Sequence, residues 1–181
     1  MIQSIKKLTV VVILITVFTS CDQGPTLQTY FVDNEMQSGF ISLDVPASVI
    51  DVENIELTEE QREAYESVDK LNVLAYKADS LSTDEFQGEL RRVNNILKDD
   101  KYDELIRGGN SVDGKFVVKF LGDVENIDEL ILFGNANDQG FVIARVLGND
   151  MNAKKLMTLQ SVLQNANIED SQLKELTDFF K

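Results

Sequence analysis

The chain has 181 residues, of which 31 are Asp or Glu, 17 are Lys or Arg and none is His. A net charge of −14 at pH 7 argues against nucleic acid and anionic lipid headgroups as partners. The missing histidine removes the commonest general base, the Ser-His and Cys-His nucleophile pairs and the commonest transition-metal ligand, while ten Phe, two Pro and an apolar fraction of 43% exclude a mainly disordered chain.

The first element is a leader. Lys6 and Lys7 precede an apolar run from Leu8 to Phe18, and Thr19 and Ser20 then lead to Cys21, the only cysteine. A basic start, a short apolar stretch and small residues before a cut make residues 1–20 a secretory signal peptide. The run is shorter than the roughly 20 apolar residues that span a bilayer. Val17-Phe18-Thr19-Ser20-Cys21 resembles the bacterial lipobox in its looser form, with Phe18 where leucine is commonest. Cys21 is therefore expected to become the lipidated first residue of the mature protein. The alternative is an ordinary signal peptide in which Cys21 happens to fall near the cut. One acyl chain binds a membrane only reversibly, whereas the several carried by a lipoprotein cysteine anchor stably. Lipidation would use up the only thiol and leave neither a disulfide nor a thiolate nucleophile. The leader holds two of the 17 basic residues and no acid, so the mature chain keeps 15 against 31. Such a balance suits solubility, repulsion from a membrane surface, or a basic partner.

Residues 21–36 read as the lipidated cysteine and a flexible tether, with Gly24, Pro25 and little periodicity up to Asn34. Residues 37–181 read as one domain. Phe40 to Val45 alternates, with Ile41, Leu43 and Val45 on one side, and forms a strand stopped by Pro46. Thr58-Glu59-Glu60-Gln61 is a capping box that opens a helix to about Val68. Leu71 to Tyr76 is a strand. Ser82-Thr83-Asp84-Glu85 is a second capping box, followed by Phe86, Leu90, Val93 and Leu97 on one helical face. Gly88 on that helix costs up to ~1 kcal/mol and marks a candidate close contact. Three strands follow at Phe116–Leu121, Leu130–Phe133 and Phe141–Leu147, joined by turn formers at Gly122-Asp123 and Asn135–Gly140. Two helical stripes close the chain, Leu156, Leu159 and Leu163, then Leu173, Leu176 and Phe180. The order β-α-β-α-β-β-β-α-α predicts an α+β domain. Its antiparallel sheet has about four to five strands, with helices mainly on one face.

Several polar groups are candidate sites, each with a plainer reading. Asp99, Asp100, Asp103 and Glu104 cluster at a helix end, and Asp123, Glu125, Asp128 and Glu129 between two strands. Carboxylate clusters bind calcium when six to eight oxygens converge. Neither has EF-hand spacing, and both read as solvated faces. Asn135-Ala136-Asn137-Asp138-Gln139-Gly140 is oxygen-rich too, and reads as a hairpin loop in which Asn, Asp and Gly supply positive φ. Arg107-Gly108-Gly109-Asn110 suggests an RNA-binding arginine-glycine box, but a single copy in so acidic an exported chain reads as a helix stop. Lys119 alternates with Phe116, Val118 and Phe120, as on a two-faced strand. Arg145 interrupts an apolar strand, on the side of Phe141, Ile143 and Leu147. If buried it needs a carboxylate. The alternatives are a strand face open to solvent, a stem that packs while the guanidinium snorkels, or a role in binding an anion or partner.

Five pieces of the chain, Gly39–Pro46, Leu71–Tyr76, Lys101–Leu105, Val118–Gly122 and Val146–Met151, together resemble the Bacteroidota lipoproteins grouped as domain-of-unknown-function family 4252. The resemblance covers most of the mature chain. It implies a lipid-anchored envelope protein of a Gram-negative bacterium and carries over no catalytic residue. The expected function is a non-enzymatic protein-binding module, held on the membrane through the lipid on Cys21, on the periplasmic face of the outer membrane. A protein partner in the envelope is expected; no cofactor, metal, catalytic residue or nucleic acid is. A small-ligand or lipid-binding domain is the alternative, and an enzyme using Asp/Glu or Ser a further one. An enclosed cavity would favour the small ligand, a carboxylate pair in a cleft the enzyme, and a filled core with an exposed apolar patch the protein partner.

Overall fold

The computed structural model describes residues 24–49, 52, 56–78, 83–110, 114–137 and 139–165. The leader, Cys21, Ser82 and the stripe of Leu173, Leu176 and Phe180 lie outside the described residues. Among those described, no helix is long and apolar enough to cross a membrane.

Six strands form one antiparallel sheet: β1 (Phe40–Pro46), β2 (Val68–Lys77), β3 (Asp103–Asn110), β4 (Gly114–Asp123), β5 (Asn126–Asn135) and β6 (Gly140–Met151). Their spatial order is β1-β2-β6-β5-β4-β3. The last four strands are a meander, and β6 returns to pair with β2. Four helices accompany the sheet: α1 (Leu27–Asn34), α2 (Glu59–Glu66), α3 (Thr83–Ile96) and α4 (Ala153–Asn165), with a single 3₁₀ turn at Ala47–Val49. The α+β class and the antiparallel sheet stand. The order becomes α-β-α-β-α-β-β-β-β-α, and six strands replace four to five.

Two elements correct the expectation. The supposed tether contains α1. Thr26 caps it, its hydroxyl accepting from the Thr29 amide while the Thr29 side chain reaches back to the Thr26 amide. Leu27, Tyr30, Phe31 and Asn34 are buried, which is helical spacing with one face on the core. The second correction is β3. Arg107-Gly108-Gly109-Asn110 is not a helix stop but the end of an edge strand. A bulge between Glu104 and Ile106 distorts its pairing with β4.

The helices divide between the two sheet faces rather than sharing one. On the first face, α1 and α3 cover Leu74, Tyr76, Ile131, Phe133, Phe141 and Ile143. Phe86, Val93 and Leu97 of the expected stripe are buried there, while Leu90 is half-buried at its margin. On the second face, Leu156 of α4 packs with Phe120, Ile127, Leu130, Val146 and Met151. Helix α2 packs against α4 through Gln61 Nε2, which donates to Ser161 Oγ at 3.0 Å. The Thr58–Gln61 capping box opens α2 as expected. The β5–β6 hairpin also follows expectation, with positive φ at Asn137 and Gly140.

Burial raises the phenol pKa of Tyr30 far above its ordinary value, and its hydrogen bond to Glu89 at 2.8 Å adds to this. Tyr102 is raised as well, chiefly by burial. Above pH 10 the unfolded chain releases these protons while the folded one keeps them, so stability falls as pH rises. Each tyrosine is expected to steepen that loss by up to about 1.4 kcal/mol per pH unit between its unfolded and folded pKa. Urea midpoints followed from pH 8 to 11.5 check it, with Tyr30→Phe expected to flatten the slope.

Candidate functional site

Arg145 is buried on the first face. Its Nε donates to Glu129 Oε1 at 2.6 Å and its Nη2 to Glu129 Oε2 at 3.0 Å, a two-pronged pair that fits the planar guanidinium. Nη1 donates to Gln28 Oε1 of α1 at 2.8 Å, and the guanidinium carbon lies 5.0 Å from the Phe31 ring centre. Neither the solvent-open nor the snorkelling reading holds. The arginine is the core-side latch of α1, and each of its three guanidinium nitrogens donates to a protein oxygen.

The acidic clusters separate in space. Glu129 is buried against Arg145, whereas Asp123, Glu125 and Asp128 are exposed. Asp99 pairs with Lys101, and Glu104 makes a two-pronged pair with Arg107 that lowers the Glu104 pKa. Among the described residues, no group of three or more potential metal ligands gathers.

The concave feature lies at the other end of the sheet. An open groove of about 930 Å³ runs between α3 and strands β3 and β4. Leu90 and Leu97 of the α3 segment, with Val117 and Phe133 of the sheet, make it apolar. Four cations stand along it: Lys98, Arg107, Lys115 and Lys119. No Asp or Glu is among the described residues that line it. Lys98 follows the C-terminus of α3, where a positive charge is favoured. Lys119 Nζ donates to the Tyr102 carbonyl at 2.7 Å, so it is a partly buried edge cation of this groove as well as half of an alternating strand. Lys98 and Lys115 form no ion pair among the described residues. Asn135 also lines the groove, and its Oδ1 is buried without a hydrogen-bond partner.

Bare backbone shapes the outer wall. Gly109 has φ +102°, and a Cβ there would run into the Gly114 carbonyl. A Cβ on Gly108 would lie 2.6 Å from the Phe116 ring, which covers that residue. Phe116 therefore reaches the groove although its strand position belongs to the second face. There it neighbours Ile106, Val118 and Leu132, which sit side by side across β3, β4 and β5. Ile106, Phe116 and Leu132 are 54%, 46% and 41% exposed. The end of the sheet thus carries an apolar patch on one face and a basic, apolar-floored groove on the other, joined at Phe116.

Sequence reasoning weighed Arg107–Gly109, Lys119 and Asn135 one by one, gave each a plainer reading, and did not bring them together as a groove. Its four cations are spread over more than twenty positions and meet only through the strand order β5-β4-β3 and the crossing of α3.

The family model for Domain of unknown function (DUF4252) matches residues 33–159, from the last turn of α1 into α4. Comparison with curated proteins and with solved structures gives no match. The matched stretch is well over half of the chain and includes every strand of the sheet, so the chain belongs to the DUF4252 family.

Proposed function

We propose that the chain is a non-enzymatic binding module of the bacterial cell envelope, lipid-anchored through Cys21, which holds a protein partner at the β3–β4 end of its sheet. The periplasmic face of the outer membrane is its proposed location. The observation that carries this reading is the row of Ile106, Val118 and Leu132 with Phe116 beside it. Three of these four apolar side chains are exposed on adjacent strands. Scattered apolar residues on a surface need no explanation, but a contiguous cluster with a groove beside it is what an interface presents. The first-face core is filled by interlocked aromatic rings, and the groove at its edge is open rather than enclosed. Both features favour a docking protein over a sequestered small molecule.

The test uses the full-length protein taken from its own membranes in mild detergent. The wild type is expected to migrate as a complex larger than the single chain. Ile106→Glu with Leu132→Glu is expected to melt like the wild type yet migrate as the single chain. A wild type that migrates alone, or a complex indifferent to the double substitution, would refute the reading.

A further inference from the structure

We infer that the groove between α3 and β3–β4 holds an extended acidic segment of the partner protein, with apolar side chains among its acids; the inference rests on the binding-module reading above.

The charge pattern is the first support. The chain has 31 acids and 17 bases, yet the groove collects four bases, and none of its described lining residues is an acid. The overall charge favours a basic partner, but the groove reverses that sign locally. At physiological salt the field of the remaining surface is screened beyond about 8 Å, so the local cations decide what enters. Arg107 is already engaged by Glu104, and Lys119 by a carbonyl. Lys98 and Lys115 stand on opposite walls without an ion pair among the described residues, and they are the cations most available to an incoming carboxylate.

Length and polarity are the second. Lys115 and Lys119 are four residues apart on β4, about 13 Å at the strand rise. An extended peptide repeats its side-chain direction every two residues, about 6.6 Å, so acids four positions apart match that span. Its other side chains would meet Leu90, Leu97, Val117 and Phe133.

The test starts from a phage-displayed library of random 12-residue segments, selected on the full-length protein in neutral detergent. Recovered peptides are measured by fluorescence polarisation at low and high salt, with laurate as competitor. The expected winners combine Asp or Glu with apolar residues and bind more weakly as salt rises. Lys98→Glu with Lys115→Glu is expected to weaken them by about tenfold or more, while Lys98→Arg with Lys115→Arg keeps them within about threefold. Neutral or basic winners, acidic winners indifferent to the charge reversal, or no winners at all would overturn the inference. So would saturable laurate binding that displaces the peptides and is lost in the reversed variant. The loss of the native complex on Ile106→Glu with Leu132→Glu tests the module reading separately.

Discussion

Arg145→Met alone is expected to cost about 3–5 kcal/mol of folding stability, because it leaves the Glu129 carboxylate buried without its partner. The pair is sealed on the first face, with both oxygens of Glu129 engaged by one guanidinium. Removing both charges together removes that penalty. Arg145→Met with Glu129→Leu is therefore expected to fall within about 1 kcal/mol of the wild type, or above it. Arg145→Lys should not rescue, since an ammonium cannot reproduce the two-pronged pair and also reach Gln28. Urea titrations of the three variants check the order, with unchanged slopes showing that stability alone has moved. A second readout is specific to the latch. Gln28 and Phe31 lose their shared contact when the guanidinium goes, so amide exchange in α1 should accelerate more than in β5 or β6.

Phe141→Ala is the other large effect, expected at about 3–5 kcal/mol. Phe141 is fully buried and its ring meets four others. It stacks on Tyr76 at 5.5 Å and on Phe86 at 6.3 Å, and meets Phe133 at 6.0 Å and Phe40 at 6.4 Å edge-on. Those rings come from β1, β2, β5 and α3, so one cavity would loosen four elements at once. Ring pairs of this geometry add about 0.5–1.5 kcal/mol each beyond buried area. Phe141→Leu fills part of the space and should cost less than the alanine in the same denaturation experiment.

The elements legible in the sequence are those with one buried and one wet face. Phe86, Val93 and Leu97 announce α3 because their spacing must follow the helical turn to reach the core. The meander strands β4, β5 and β6 announce themselves by apolar runs between turn formers. Strand β3 carries no such signal. It is an edge strand whose Leu105 and Ile106 are both exposed, and it mixes acids with glycine, residues of low strand propensity. Only its pairing with β4 makes it a strand. Helix α1 was hidden differently: its apolar positions 27, 30 and 31 are few, and its Thr26–Thr29 box lacks the usual Glu or Gln. Its place is fixed by Arg145, more than a hundred residues away.

The candidate site was the least legible part for the same reason. Arg145 stood out in the sequence because it breaks an apolar run, and the structure gives it a structural partner. Glu129, that partner, lay unseen among four acids. Its identification needs the β5–β6 register, which sets Arg145 opposite Ile131 and Glu129 opposite Leu147, diagonal on one face. Lys98, Lys115 and Lys119 looked like ordinary surface charge. They become a groove only when β3 extends the sheet past β4 and α3 crosses above it.

The measurement that bears most directly on the binding-module account is photo-crosslinking in the living cell from two positions of the full-length protein. One probe replaces Phe116, between the apolar patch and the groove; the other replaces Arg62, exposed on α2. The account predicts a covalent adduct of one defined protein mass from position 116 and none from position 62. An adduct from position 62 alone, equal labelling from both, or no adduct from position 116 would contradict it.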